Sequence, residues 1–394
     1  MKILQIIPAI SLVYGGPSQV ILDLCEALAK QGQDVTIITT NANGDQGQPP
    51  LDVPLQSVVQ RDGYQIIYFN CSPFRRYKFS LDLLRWLWVH GDDYDVAHIH
   101  ALFSPVTTMA ASICRWKGLP YILRPLGTLD PKDLRKKQGL KYIYGNLLEK
   151  PNLRGSVGVH FTSGQEADVS DDFGANINRL VVPLGVKIID RPIDDNFIYG
   201  KYGIPSDKPL LLFMSRIEPK KGLNFLIPAL ERLLNQGYDF HFVLAGANPQ
   251  DREYERSIAQ RVTSSSLSAH STVTGFVTGD DKVALLQKAD LFLLPSFYEN
   301  FGIAVVEAIA FNTPVIISDQ VYIYQEIQKA RAGWVCRLDE DDLLQKLILA
   351  LEDKQERHTR GINGFNLAQQ KYSWSAIALK LIEIYKSGAN ITRR

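Results

Sequence analysis

The chain has 394 residues, 45% of them apolar, and a formal net charge of +1. That length favours two domains over one or three and leaves ample residues for their cores, while the balanced charge gives no electrostatic case for nucleic acid as a partner. The four cysteines, Cys25, Cys71, Cys114 and Cys336, lie far apart with no C-x-x-C and no zinc-ligand spacing, which points to a reduced, cytoplasmic setting.

The first apolar run, Ile3 to Ile7, carries Gln5 and is followed by Pro8. It is too short for a signal h-region or a spanning helix and reads as a buried first strand. A loop with Tyr14-Gly15-Gly16-Pro17 follows, then an amphipathic helix from about Ser18 to Gln31 that Gly32 stops. Further strands are expected at Val35 to Thr39, Gln65 to Phe69, Val96 to His100, Tyr121 to Arg124, Val157 to Phe161 and Leu180 to Val182, with helical patterns between most of them. Such alternation predicts parallel sheets covered by helices on both faces. The polar, proline-containing stretch from Asp190 to Pro209 reads as an interdomain linker. A second series then begins, with strands at Leu210 to Met214, His241 to Ala245, Ser271 to Thr274, Leu291 to Leu294 and Val315 to Ile317, and helices at Leu223 to Leu234, Lys282 to Lys288 and Gly302 to Ala310. Trp374, Ile377, Leu381 and Ile384 are spaced helically over Tyr372 to Lys386. With no run of about eighteen apolar residues, any membrane contact is expected to be peripheral.

The most informative stretch is Pro295-Ser-Phe-Tyr-Glu299-Asn300-Phe301-Gly302-Ile303-Ala-Val-Val-Glu307. It reads as strand, loop, helix, with Gly302 at the helix mouth, where unpaired N–H groups and the helix dipole favour an anion. Taken as helical, the separation of Glu299 and Glu307 is roughly 12 Å, too long for a glycosidase acid/base pair at about 5 to 9.5 Å. An anion flanked by two carboxylates that hold hydroxyls describes a sugar nucleotide, although two glutamates at this spacing can simply be solvated. Arg216 and Lys221, in Ser215-Arg216-Ile-Glu-Pro-Lys220-Lys221-Gly222, stand where an α/β sheet binds phosphate; the plain alternative is a solvated basic turn. Gly15-Gly16 lacks the G-x-G-x-x-G of a dinucleotide fingerprint. His98 and His100 share one strand face, but the seven histidines offer no further ligand set, so no metal is expected there.

Together these motifs resemble the retaining glycosyltransferases of family 4, whose fold is GT-B: E-x7-E with F-G after the first Glu, R-x4-K-G, the G-G loop and D-x-x-H-x-H. The resemblance implies an α/β chain of two Rossmann-like domains facing each other across a cleft. Residues 1–186 would form the acceptor-binding domain, 187–208 the linker, 209–371 the nucleotide-sugar-binding domain and 372–394 a helix that crosses back to the first domain. On that match Arg216 and Lys221 hold the diphosphate, Glu299 the sugar hydroxyls, and Glu307 the ribose. Asn300, Phe301, Gly302 and Ile303 meet sugar and phosphate, Gly15 and Gly16 approach the donor from the first domain, and His100 contacts the donor sugar. Gly246, Phe276 and Val277 would hold the base through backbone atoms. Arg124, Gly127 and Thr128 would line the acceptor side. Thr162-Ser163-x-x-Glu166 matches as well, with helix capping an equal explanation. Asn312 replaces a usual glycine and, as the residue most tolerant of left-handed backbone, costs little.

The expected activity is transfer of a hexose, UDP-glucose being the first choice of donor and GDP-mannose the second, to a hydroxyl of a glycan or lipid-linked acceptor in polysaccharide or glycolipid synthesis, with retention and without a metal or other cofactor. The alternatives are a GT-B sugar-nucleotide epimerase or an inactive nucleotide-binding partner of another transferase. The D-x-D pairs Asp93/Asp95 and Asp339/Asp341 fall at a strand entry and a helix start, where capping explains them. Basic residues interleaved with aromatics, namely Arg75, Arg76, Lys78 and Leu83 to Trp88, then Lys132, Arg135, Lys136, Lys137 and Lys141 ahead of Tyr142 and Tyr144, fit either solvated helix faces over an aromatic core or peripheral docking on the inner membrane face.

Overall fold

The computed structural model describes residues 1–45, 48–72, 77–135, 138–188 and 197–392. It divides into two compact units, Met1–Gly185 with Trp374–Arg394, and Val186–Ser373. In the first, β1 (Lys2–Ala9), β2 (Asp34–Thr40), β3 (Val58–Arg61), β4 (Tyr64–Phe69), β5 (Val96–His100), β6 (Tyr121–Arg124), β7 (Gly158–Phe161) and β8 (Arg179–Val181) form one sheet in the order β3-β4-β2-β1-β5-β6-β7-β8. All neighbours are parallel except the β3–β4 edge pair. The near-continuous apolar runs Ile3–Ile7 and Val96–His100 are buried on both faces because helices cover both sides of the sheet.

The second unit contains β9 (Leu210–Met214), β10 (His241–Ala245), β11 (Ser271–Gly275), β12 (Leu291–Leu294), β13 (Val315–Ser318) and β14 (Gly333–Cys336), all parallel, in the order β11-β10-β9-β12-β13-β14. Each sheet is therefore doubly wound. Strand order reverses between β1 and β5 in one unit and between β9 and β12 in the other, and such reversals leave a crevice at the carboxyl ends of the strands.

Two strands were not anticipated. The antiparallel edge strand β3, Val-Val-Gln-Arg, is largely exposed and so lacks a buried apolar run, and β14 opens with a glycine that a strand pattern would not select. That glycine is needed, since a Cβ on Gly333 would stand 2.1 Å from the Val315 carbonyl oxygen. Of the expected linker, residues 189–196 lie outside the described residues, while 197–208 belong to the second unit, where helix Phe197–Tyr202 is held by Lys201 to Asp281 at 2.7 Å. The last helix, Trp374–Thr392, packs on helix Gly16–Lys30 and on β5 of the first unit. Tyr385 anchors it there, its hydroxyl 2.8 Å from His98 Nδ1.

Candidate active site

In the second unit the loops after β9 and β12 flank the reversal of strand order, and the chain brings them together with two devices. Gly222 adopts φ 78°, and a Cβ on it would lie 2.0 Å from the Pro295 carbonyl oxygen, so only glycine lets the loops approach. The Phe297 N–H then donates to the Lys220 carbonyl at 2.8 Å. Lys221, at the end of the first loop, donates to Glu299 Oε2 in the second, and both side chains are largely buried. Burial pushes the Glu299 carboxyl up, but the Lys221 ammonium, with Lys220 and Arg216 beyond it, outweighs that and holds it below the usual carboxylate range.

Arg216 is half-exposed and pairs at 2.9 Å with Glu218, which also meets Lys220 at 3.5 Å. Three cations are thus gathered by two carboxylates, and Glu218 is a contributor that sequence reasoning missed. Beside them lies an open depression of about 380 Å³ lined by Glu218, Pro219, Lys220, Asn248, Gln250 and Asp251. Asn248 Nδ2 donates to the Ile217 carbonyl at 3.0 Å and so shapes the wall.

Gly302 caps the helix Ile303–Ile309 in left-handed backbone, φ 79°, with Glu299 Cγ about 3.5 Å from where its Cβ would be. Helix begins only at Ile303, so the helical estimate of the Glu299–Glu307 separation does not hold: residues 299–302 are loop. The Asn300 side-chain oxygen is buried without a partner, and the Phe301 ring is core, packed edge-on against Tyr372 at 5.7 Å. Glu307 accepts from Lys282 Nζ at 2.6 Å, a second residue the motifs did not flag. Gly246, φ 148°, passes 1.9 Å (for a Cβ) from the Ser215 carbonyl oxygen, binding the ends of β10 and β9 closely. Past β11, Val277 is buried but Phe276 is 77% exposed, a free aromatic face beside the strand ends.

In the first unit the reversal is flanked by the loops after β1 and β5. Gly15, φ 77°, precedes helix Gly16–Lys30, so the G-G pair sits at that helix start. His100 ends β5 and is wholly buried, its Nε2 2.8 Å from Gln5 Oε1 and its Nδ1 without a partner. Burial, with Arg124 and His160 near, holds it well below the usual imidazole range, so it is neutral. Arg124, opposite His100 on β6, is also buried; burial lowers its guanidinium to about 10 against the pull of Glu166. Glu166 is the capping residue expected, accepting from Thr162 N–H at 2.7 Å, while Ser163 caps the helix Gly164–Val169. Gly127, φ 78°, and Thr128, whose hydroxyl donates to the Pro125 carbonyl at 2.7 Å, form the turn after β6. His98 pairs with Tyr385 and His160 inside the unit. The D-x-D aspartates are occupied structurally: Asp95 accepts from Lys2 N–H at 2.9 Å, and Asp339 caps the helix Glu340–Glu352.

Of the basic and aromatic stretches, Arg75, Arg76, Lys136 and Lys137 lie outside the described residues. Leu83, Leu84 and Leu87 are core rather than surface, with Trp86 packed against them, while Arg85 and Trp88 are exposed, so that stretch is a helix with one buried and one solvated face.

Residues 194–367 match the family model of glycosyl transferases group 1, and residues 15–185 that of the glycosyl transferase 4-like domain. An uncharacterized glycosyltransferase of Methanocaldococcus jannaschii is 31% identical over 394 aligned residues, which cover 95% of each chain. The chain is a family 4 glycosyltransferase. This glycosyltransferase is also 24% identical over 418 residues to a phosphatidyl-myo-inositol mannosyltransferase of Mycolicibacterium smegmatis, covering 99% of this chain and 95% of that one. Among solved structures, Anabaena HepE in complex with UDP-glucose matches with a TM-score of 0.75 and 18% identity over 98% of this chain and 100% of that one, a likeness of fold, GT-B. Among the described residues no helix is long and apolar enough to cross a membrane.

Proposed function

We propose that this glycosyltransferase moves a hexose, first choice glucose from UDP-glucose, to a hydroxyl of a glycan or lipid-linked acceptor with retention at the anomeric carbon and without a metal. The observation that carries the reading is the gathering of Arg216, Lys220, Lys221 and Glu299 around the strand-order reversal of the second unit, beside the Gly302 helix mouth. Arg216 and Lys221 offer the positive charge that a departing diphosphate needs, and Glu299, kept ionised beside Lys221, can accept from sugar hydroxyls. The N–H groups of Phe301 to Ile303 face sugar and phosphate, Glu307 takes the ribose by exchanging its Lys282 contact, and Gly246, Phe276 and Val277 receive the base. By resemblance Gly15, Gly16 and His100 are assigned to the donor and Arg124, Gly127 and Thr128 to the acceptor; His100 and Arg124 are buried, so each would act through the residues that cover it.

In this reading the acceptor oxygen bonds to the anomeric carbon on the face the diphosphate leaves, and its proton passes to a phosphate oxygen of the leaving group. The protein supplies position and charge rather than a base. The UDP-glucose seen in Anabaena HepE supports the donor class. A thermal-shift screen of UDP-glucose and GDP-mannose tests it, since a ligand at 100 times its Kd adds about 2.7 kcal/mol. No shift with any nucleotide sugar would sink the donor reading, and a shift without release of free nucleoside diphosphate in the presence of acceptors would favour an inactive partner.

A lipid-linked acceptor is favoured by one structural observation. Leu140, Ile143 and Leu147 are 71%, 61% and 69% exposed and fall on one side of the helical segment 138–149, which also carries Lys141 and follows Lys132 and Arg135. An apolar stripe among cations suits an anionic leaflet, and the name of the mycobacterial relative supports a lipid acceptor.

A further inference from the structure

Immediately after His100 the backbone takes a strained course. Ala101 and Phe103 both adopt left-handed conformations, φ 80° and 57°, although each carries a side chain. Such geometry persists only where the surroundings over-determine it, and it clusters at functional sites. Two anchors impose it here. The Ala101 N–H donates to the Arg124 carbonyl at 2.9 Å, tying the turn to the end of β6. The Phe103 N–H donates to Glu149 Oε1 at 2.7 Å. Thr108 Oγ1, in the first turns of helix Pro105–Lys117, lies 2.7 Å from the same oxygen, and the Tyr144 hydroxyl donates to Thr108 at 2.8 Å.

Glu149 is wholly buried, and its Oε2 has no partner. Burial pushes the carboxyl up, against the opposing pull of Thr108 and the Phe103 amide. A buried carboxyl is costly, so its placement asks for a reason. It reaches the turn because it ends a π-helical turn, Gly145–Glu149, a wide register that recurs at functional sites. Gly145 makes room for that turn, since a Cβ there would stand 2.6 Å from the Phe173 ring, on which Phe103 also packs with centroids 6.1 Å apart.

We propose that Glu149 is a positioning residue for transfer: from the π-helical turn it holds residues 101–104, at the strand-order reversal of the first unit, in the shape that receives the acceptor. This rests on the reading that the first unit's strand ends take the acceptor. Nothing in Glu149 touches the reacting atoms; it acts through the Phe103 amide.

The test uses the full chain, UDP-glucose as donor, octyl β-glucoside as probe acceptor, release of UDP as the rate and amide exchange of residues 101–104 as the structural readout. For Glu149→Ala we expect the acceptor KM to rise about tenfold and exchange at 101–104 to quicken by about the same factor, with the UDP-glucose KM unchanged, because a buried amide loses its acceptor. Glu149→Gln, which keeps Oε1, should stay near the native values. Ala101→Gly in the Glu149→Ala background should recover much of the acceptor KM, because glycine adopts φ 80° without strain. Should Glu149→Ala not fold, Thr108→Val gives the same split at smaller size. Equal movement of both KM values, or an acceptor KM that Ala101→Gly fails to restore, overturns the proposal and leaves Glu149 a folding residue. Absence of any thermal shift by UDP-glucose in the native protein would instead indict the donor reading, and amide exchange at 101–104 would still decide the role of Glu149.

Discussion

Lys221 and Glu299, 78 residues apart in sequence, pair across the strand-order reversal of the second unit, with side chains only 10% and 18% exposed. The pair fixes the relation of two loops that would each bring one kind of chemistry, cations on one side and a hydroxyl acceptor on the other. Glu299→Gln should therefore cost transfer about 10²–10³-fold, the scale for loss of one preorganised polar contact, and it should also release Lys221 and lower stability. Arg216→Ala should cause a similar loss of rate with no change in Tm, because Arg216 is half-exposed and outside the core. Native rates in folded Arg216→Ala protein would remove that residue from the site.

Gly222→Ala tests the close approach of the loops. The new Cβ would collide with the Pro295 carbonyl, and the residue would have to keep φ 78°, so we expect a stability loss of about 2–4 kcal/mol together with a weaker thermal shift by UDP-glucose. A variant that melts at the native temperature and binds UDP-glucose as tightly would show that the loops are free to separate.

Much of this was legible in the chain itself. Apolar runs such as Leu210–Met214 and Leu291–Leu294, short and set between helical patterns, read as buried parallel strands, and Gly302 and Asn312 occupy positions whose left-handed backbone, φ 79° and 61°, their residue types favour. What could not be read was partnership. The contact of Lys282 with Glu307 and the electrostatic pull of Glu166 on Arg124 join residues from different elements, and Glu218 meets Arg216 within one loop whose shape is set by its packing; neither spacing nor periodicity carries that information. Over Leu83 to Trp88 the structure has a solvated helix face over a core, with three leucines buried and Arg85 and Trp88 exposed, a partition that charges interleaved with aromatics do not fix.

Transfer should survive EDTA. The charge that a divalent ion would bring to a leaving diphosphate is available from Arg216, Lys220 and Lys221, and the D-x-D aspartates are engaged in holding Lys2 N–H and capping a helix. Loss of activity in chelator, restored by magnesium or manganese, would overturn this.

The buried histidines set an acid limit on the first unit. His98, His100 and His160 form a contiguous group with Gln5 and the Tyr385 hydroxyl, near Arg124 and Glu166. Burial lowers all three, His160 to about 3. Their folded forms are neutral while the unfolded chain takes up protons near pH 6.5, so the stability they contribute is complete above that pH and is lost as pH falls from 6.5 toward about 3. Unfolding free energies from urea titrations should drop steeply across that window, by up to about 1.4 kcal/mol per pH unit for each group, and His160→Gln should flatten the slope. An unaltered slope would mean that His160 does not titrate with unfolding.

The exposed stripe on the first unit gives the last prediction. Leu140, Ile143 and Leu147 face solvent from a segment that Tyr144 and Glu149 fasten inward, so the stripe is not a frayed end but the outer face of a packed element. Placing those three side chains in an interface would contribute up to about 1.5–3 kcal/mol each, and each nearby cation about 1 kcal/mol at an anionic leaflet. Lys141 is held by Asp133 at 2.9 Å over the Phe103 ring and Lys78 by Asp45 at 2.8 Å over the Tyr14 ring, which makes both poor probes of docking. The protein should float with vesicles containing anionic lipid, more at low than at physiological salt, and the triple variant Leu140→Asp, Ile143→Asp, Leu147→Asp should remain in solution while keeping the native thermal shift by UDP-glucose. Native protein that stays in solution at both salt concentrations would turn the acceptor assignment toward a soluble glycan, because a lipid-linked hydroxyl could then reach this enzyme only by leaving its bilayer.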